Sequence, residues 1–547
     1  MTARRPAPGA CLLAALALAA CAAPPPASVN DALDLIGQRA LQKHVAYLAS
    51  DGLEGRMTGR PGYDKAAEYV AGQLAAMGVE PAGPDGWYQP VPLRSYTLAA
   101  GSAEFTLHGE ADRRFVYRDD FASLPDPVAT ESRVRAEVVY VGYGVHAPEF
   151  GYSDYEGIDV AGRIVAAYRG APASISGEQR AYFASSLTKL REAAARGAVG
   201  AITLRSRDAE EKRPWSEAKT LFGRRPQMRW ITDDGRAADH FPAIRVRTYL
   251  SPATSEALFA DAPISYAESL DRMEAGEPAS AHLGIELTMA SASRHTPISS
   301  PNVVGMVRGT DPALAGEYVV YTAHLDHLGT VVEDGETRVY NGAYDNAMGV
   351  ALMLETARSF AAFPPRRSLL FVALTAEERG LLGSDYFVNH PVVPASSIVA
   401  NVNLDMPLFL YPVADLIAFG SGHSSLQGPA ERAARAEGFA LTPDPMPEEN
   451  LFVRSDQYSF VRKGIPALFL VPGFGPQDDG IDRETIFREF IGNHYHKPSD
   501  DSSRPVDWGS AVRFARAHAR IGYAVAMGGP RPQWKEGSFF GERFATP

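Results

Sequence analysis

The chain has almost no cysteine: among its 547 residues only Cys11 and Cys21 carry a thiol. Cys11 falls within a segment read below as a removable leader, so a disulfide inside one mature chain is excluded. The fold must rest on the size of its apolar core instead. Positive charge is also in deficit, with 53 Lys and Arg against 65 Asp and Glu and a formal net charge of −12. That balance disfavours nucleic acid as a partner. Repeats are absent, and there is no low-complexity tract longer than Pro24-Pro25-Pro26. What remains is ordinary globular composition, 45% hydrophobic and 22% charged, in a chain too long for one core, which predicts more than one folded unit.

The N-terminus carries Arg4 and Arg5, an apolar run from Cys11 to Ala20, and Leu18-Ala-Ala-Cys21 at its end. This resembles a lipoprotein signal peptide, residues 1–20, cleaved before a lipidated Cys21. The run is too short for the roughly twenty residues that cross a bilayer, and the small residues before Cys21 suit a processing site. A short membrane anchor or a misassigned start is the alternative. On the leading reading, residues 21–30 form a stiff Pro-rich tether and Cys21 makes the only membrane contact. The protein is then extracytoplasmic, in the periplasm, at the outer membrane or on the cell surface. Loss of Arg4 and Arg5 makes the mature chain more acidic still.

Periodicity predicts helices over 31–48 and 63–77, which with their surroundings form the N-terminal part of the main domain, residues 31–134. From about residue 135 the texture becomes that of short strands and one helix, as in Val138 to Tyr143, Arg163 to Tyr168 and Leu187 to Arg196. Residues 135–280 read as an inserted α/β module. Its segments Val141-Gly-Tyr-Gly144, Asp154-Tyr-Glu-Gly-Ile-Asp159 and Ala193-Ala-Ala-Arg-Gly-Ala-Val-Gly200 resemble a protease-associated domain, and nothing in it has metal-ligand spacing. Residues 281–547 alternate apolar strands, at Tyr318 to Ala323, Ser368 to Leu374, Ile398 to Leu404 and Ala467 to Val471, with helices such as Met348 to Phe360. Strands apolar on both faces predict a mainly parallel sheet covered by helices, an α/β class overall.

In such sheets, sites gather at the carboxyl ends of the strands. The residues there are His324-Leu-Asp326-His327, Thr375-Ala-Glu377-Glu378 and Asp405, with Asp345 in a turn and His494-Tyr495-His496 far downstream. Taken singly, His324 or His496 reads as a hydrogen-bonded structural histidine, and Glu377-Glu378 as a solvated helix start. Placed together, they offer nitrogen and carboxylate donors of the kind zinc prefers, including a carboxylate able to bridge two ions roughly 3.5 to 4 Å apart. Arg454-Ser-Asp456-Gln457-Tyr458 reads either as a wall of a substrate pocket or as a helix cap at Ser455 or Asp456.

Tyr47-Leu-Ala-Ser-Asp-Gly-Leu-Glu-Gly-Arg56, Ala323-His-Leu-Asp-His-Leu-Gly329, Gly342-Ala-Tyr-Asp-Asn-Ala-Met-Gly349, Ala376-Glu-Glu378, Asn403-Leu-Asp-Met406 and His496-Lys-Pro-Ser-Asp500 follow in this order. Together they resemble metallopeptidase family twenty-eight, the co-catalytic di-zinc aminopeptidases. The resemblance implies two Zn2+ per chain in a zinc-peptidase fold. Asp345 would bridge, His324 and Asp405 would complete one site, and Glu378 and His496 the other. Glu377 would be the general base, Asp326 would hold the second nitrogen of His324, and Tyr495 would donate to the oxyanion. His327 and His494 are read as structural. Tyr344 departs from the pattern, standing where an aspartate often precedes the bridging one.

The function this predicts is an aminopeptidase acting on peptide substrates. A carboxypeptidase or dipeptidase shares the same motifs, with arginines in the pocket favouring a carboxylate end. A receptor-like binding protein that lost catalysis is the reading from another class, and retention of every ligand type argues against it. No oligomeric state follows from the sequence.

Overall fold

The computed structural model describes residues 27–175, 177–475 and 479–545. The leader, Cys21 and most of the tether lie outside the described residues.

A mixed α/β sheet organises the main domain. Its strands run, in spatial order, Ala440–Thr442, Asp415–Phe419, Ala467–Pro472, Ile398–Asn403, Tyr318–His324, Ser368–Leu374, Ser280–Val307, Tyr88–Leu98 and Gln227–Trp230. The four from Ala467–Pro472 to Ser368–Leu374 are mutually parallel, as their apolar character predicts. Every residue of Ser368–Leu374 is buried. One face is covered by the helices Gln38–Leu48, Pro61–Ala76, Met348–Ala362 and Trp508–Ala526, which share a single apolar core with the sheet. The opposite face takes Leu382–Asn389 and Gln457–Val461. Among the described residues no helix is long and apolar enough to cross a membrane.

The strand Ser280–Val307 is shared between two sheets. Its second half pairs with the main sheet, while its first half pairs with Glu104–His108 and Glu131–Val141. From Glu131–Val141 a second sheet continues through Ile164–Ala167, Gly200–Thr203 and Val246–Leu250 to Phe121–Ser123. The boundary expected at residue 135 is therefore corrected: strands from Glu104 onward already belong to the second sheet. The sequence concealed this because these strands are short and lie before the change of texture. Gln227–Trp230, inside the expected insert, pairs back onto Tyr88–Leu98 of the main sheet.

The helix predicted over 31–48 is two helices, Val29–Leu33 and Gln38–Leu48, with Gly37 extended as the cap of the second. The C-terminal tail folds back, with Phe540 fully buried against Phe452 and the indole nitrogen of Trp534 donating to the Gly464 carbonyl at 2.7 Å.

His518 in the helix Trp508–Ala526 is fully buried and its ring lies tilted against Phe514, centroids 4.4 Å apart. Burial pushes its imidazole down to about 4. Between about pH 6.5 and 4 the unfolded chain takes up a proton here that the folded chain refuses. Stability therefore falls as pH drops through that window, by up to about 3 kcal/mol. Urea unfolding at pH 6.5 and 4.5 should show a smaller acid loss for His518→Leu than for the wild type. An equal loss in both would contradict this assignment.

Candidate metal centre

The site forms where the parallel strands end. His324 is the last residue of Tyr318–His324, Glu377 and Glu378 follow Ser368–Leu374, and Asp405 follows Ile398–Asn403. Asp345 comes from the turn before Met348–Ala362. This turn needs Gly342, whose φ is 57°, because a Cβ there would stand 2.0 Å from the Asp345 carbonyl oxygen. Ala376, Met406 and His496 also hold left-handed backbone without being glycine. Each such position costs roughly 1–3 kcal/mol, and all three lie within one residue of, or at, a proposed ligand or base.

Asp345 turns its two oxygens to two groups of donors. His324 Nε2 is 3.3 Å from Asp345 Oδ1 and 3.0 Å from Asp405 Oδ1. On the other side His496 Nε2 is 3.2 Å from Asp345 Oδ2 and 3.1 Å from Glu378 Oε2. The five expected ligands thus converge, and Asp345 lies between the two groups, one oxygen facing each. His327, read as structural, belongs to the second group: its Nδ1 is 2.7 Å from Glu378 Oε1 and 3.7 Å from Asp345 Oδ2. The His324-x-x-His327 spacing on a strand end was the available signal. His494 instead engages Ser499 and Arg504, away from the donors.

The residues fit a pair of cations. Asp345, Asp405, His324 and His327 are buried, and ligand-capable atoms of His324, Asp345 and Asp405, and of His327, Asp345 and Glu378, lie within 4.8 Å of one another in each set. His327 Nε2 is buried without a hydrogen-bond partner, a state that costs free energy unless another ligand supplies it. Charge makes the same point. Burial raises Glu378, as does Asp345, yet the neighbouring imidazoles of His496 and His327 bring it down to about 2. Burial lowers His496, but Glu378 and Asp345 lift it to about 10. In the protein alone, protons on imidazoles balance the buried carboxylates. Divalent ions would replace those protons.

Glu377 stands beside the donors. Burial raises its carboxyl well above the usual range, reinforced by the charges of Asp405, Asp456 and Glu378 against the pull of His324. Tyr495 stacks on His496 with ring centroids 3.8 Å apart. Burial and the charges of Asp345 and Glu378 raise its phenol well above the ordinary value, so it stays a donor.

The role expected of Asp326 is corrected. Its carboxylate is 3.9 Å from His324 Nδ1, which is met at 3.1 Å by the Asp326 backbone carbonyl instead. The carboxylate accepts the backbone N–H groups of Glu377 and Glu378 at 3.0 and 3.3 Å and the Thr58 hydroxyl at 3.2 Å. It therefore positions Glu377 and Glu378, the expected base and ligand, rather than the histidine. Sequence spacing could not tell side chain from carbonyl in the same residue.

Further residues, present in the motifs or read as a helix cap or pocket wall, were given no supporting role in the site by the sequence. Asp500 accepts the backbone N–H groups of Tyr344 and Asp345 at 2.9 and 3.1 Å. Ser455 donates to Asp405 Oδ2 at 2.5 Å, and no side chain caps Gln457–Val461. Arg56, fully buried, donates to the carbonyls of Leu325, Asn341 and Gly342 at 2.9, 2.6 and 3.0 Å. It ties the loop of His324 to the turn of Asp345.

These features define a class: an α/β protein with a buried two-cation donor set at the carboxyl edge of its parallel strands. Residues 302–521, which hold every expected ligand, match the model of peptidase family M28. A 112-residue segment is 34% identical to the aminopeptidase YwaD of Bacillus subtilis, covering 20% of this chain and 22% of that protein. A 110-residue segment is 32% identical to a probable zinc metalloprotease of Pyrenophora teres f. teres, covering 20% and 23%. The matched segments span about a tenth to a quarter of the first curated relatives, from 11% to 25%. The fold resembles that of an aminopeptidase from Aneurinibacillus sp. strain AM-1, with TM-score 0.52 and 20% identity over 92% of this chain and 97% of that one.

Asp500→Ala leaves two buried N–H groups without their acceptor and frees the turn that carries Asp345. It is expected to weaken metal binding about 10- to 100-fold, as loss of ligand-orienting partners does. Competition with a chromogenic chelator checks this, and unchanged affinity would remove Asp500 from the account.

Proposed function

We propose that the chain is a zinc-dependent aminopeptidase that removes N-terminal residues from peptides outside the cytoplasm, tethered through a lipidated Cys21. The observation that carries the catalytic part is Asp345, whose two oxygens face separate donor groups with Glu377 alongside. Zinc is the ion suggested by this histidine and carboxylate set and by the name of a relative. The aminopeptidase reading draws on the M28 match and on relatives named for that activity.

Two zinc ions held by His324, Asp345, Asp405, Glu378 and His496, with His327 at hand, would acidify water and polarise a carbonyl. Glu377 takes the proton of the attacking water and passes it to the leaving amine, a task suited to a carboxyl that burial and its acidic neighbours raise above the ordinary carboxylate range. Asp326 holds the Glu377–Glu378 backbone so that base and ligand keep their spacing. Tyr495, kept protonated by its surroundings, donates to the oxygen on which negative charge develops.

Beside Glu377 and Glu378 lies a cavity of about 390 Å³, also lined by Arg229, Trp230, Asp385, Arg454 and Arg462. Arg462 is engaged by Asp239 and Asp385 at 3.1 and 3.6 Å. Arg229 and Arg454 favour a second reading, a carboxypeptidase or dipeptidase that grips a carboxylate end.

Hydrolysis of free-amine and N-blocked peptides by wild type and Glu377→Gln, with and without prior chelation, tests the proposal. The expected result is cleavage of free-amine substrates alone, lost on chelation, restored by zinc, and reduced about 10²- to 10⁴-fold in the variant. Cleavage of blocked peptides would favour the carboxypeptidase. No zinc-restorable hydrolysis of either would favour a binding protein.

A further inference from the structure

The largest cavity described, about 1260 Å³, lies between the second sheet and the main domain and is lined from both. It exceeds the roughly 300–1,000 Å³ of a site for one small ligand, so it has room for several residues of extended chain. Its charge runs against that of the molecule. The chain carries a net −12, yet the cavity wall presents seven Lys and Arg against two acids, Asp208 and Glu449. Both acids already face cations of the same wall: Asp208 meets Lys212 at 3.2 Å and Glu449 meets Arg454 at 3.7 Å.

The other cations of the wall differ in how they are satisfied. Arg205 and Arg213 pair with Glu210 and Glu217, which stand outside the lining. Arg118, Arg169 and Arg225 have no carboxylate within 4.0 Å among the described residues. Arg118 donates to the Phe222 carbonyl at 3.0 Å, and Arg225 lies over the Tyr340 ring at 4.9 Å. Like charges gathered in a concave wall repel one another and raise the local potential, a cost that an anionic ligand relieves. Aromatic side chains, among them Trp215 and Tyr249, line the same cavity and give a peptide backbone apolar surface to lie on.

Position supplies the identity of the ligand. Arg454 lines this cavity and also the smaller one walled by Glu377 and Glu378, so the two adjoin at that residue. A peptide with its first bond at Glu377 has its remaining residues next to Arg454 and the cationic wall beyond. We propose that this cavity binds the leaving-side residues of the substrate through their carboxylates, making acidic peptides the favoured substrate class. The inference rests on the peptidase reading above and adds to it the selection of sequence downstream of the cleaved bond. The shared chemistry is carboxylate, supplied by Asp and Glu side chains or by the peptide's own C-terminus.

Calorimetric binding to Glu377→Gln, which holds substrate without turning it over, tests this with the peptides Leu-Gly-Glu-Glu-Glu and Leu-Gly-Gln-Gln-Gln, each C-terminally amidated. A third peptide, the Gln sequence with a free C-terminus, separates the two carboxylate sources. The acidic peptide should bind at least about tenfold more tightly than its amidated Gln counterpart at low salt, less so at high salt. Adding Arg118→Gln and Arg169→Gln, both at exposed positions, should abolish the difference. If the free-terminus Gln peptide matches the acidic one, the terminal carboxylate alone is read and the preference for acidic peptides is overturned. Equal binding of all three peptides, or a preference that survives the double arginine change, overturns the proposal. Hydrolysis of Leu-Gly, too short to reach the cavity, is measured with Glu377 in place; it reports on the peptidase reading alone and should be the same with and without the arginine changes.

Discussion

Everything at the centre depends on holding one carboxylate, Asp345, so that its oxygens face in two directions within a buried site. A free aspartate on a turn would rotate or take up a proton when surrounded by Asp405, Glu378 and Glu377. Here the turn is fixed from outside. Asp500 takes the N–H groups of Tyr344 and Asp345, and Arg56 takes the carbonyls of Asn341 and Gly342. Arg56 has a further effect. Burial lowers its guanidinium to about 10, still charged at neutral pH, and its charge is felt by Asp345, Asp500, Asp326 and Glu378. It therefore offsets part of the like-charge repulsion while bonding only to carbonyls. A neutral side chain of similar shape would leave both the repulsion and the unpaired carbonyls.

The fold makes this arrangement possible by bringing distant segments to one edge. Parallel strands point their carboxyl ends the same way, so residues that follow Tyr318–His324, Ser368–Leu374 and Ile398–Asn403 meet without any one loop having to be long. Segments between the strands of the second sheet then reach that edge, where Ser185 and Leu187 line the cavity beside Glu377 and Glu378.

The sequence was most legible where burial is greatest. Ser368–Leu374 could be read to the residue because an unbroken apolar run in a central parallel strand leaves no ambiguity of register. The helices Pro61–Ala76 and Met348–Ala362 were also visible in the sequence. Less legible was anything decided by tertiary contact. The second sheet's start at Glu104 depends on pairing with a strand about 180 residues away in sequence. In the site, His324, Glu378 and Asp405 stood out as titratable side chains at strand ends, and Asp345 and His496 as titratable side chains within the turn and downstream motifs. Their supports did not: Ser455, Asp500 and the carbonyl of Asp326 act through ordinary hydrogen bonds that any loop could contain. His327 was read as structural, although it stands 2.7 Å from Glu378 and its spacing from His324 was in plain view.

The central claim, that Asp345 is shared by two cations, is tested most directly by zinc stoichiometry. Metal-free protein would be dialysed against zinc and measured by elemental analysis for wild type, Asp405→Ala and Asp345→Ala, each checked for folding by circular dichroism. The account predicts about two ions per wild-type chain, about one in Asp405→Ala, and almost none in Asp345→Ala. A folded Asp345→Ala that keeps as much zinc as Asp405→Ala would contradict it, because the two donor groups would then not share that carboxylate.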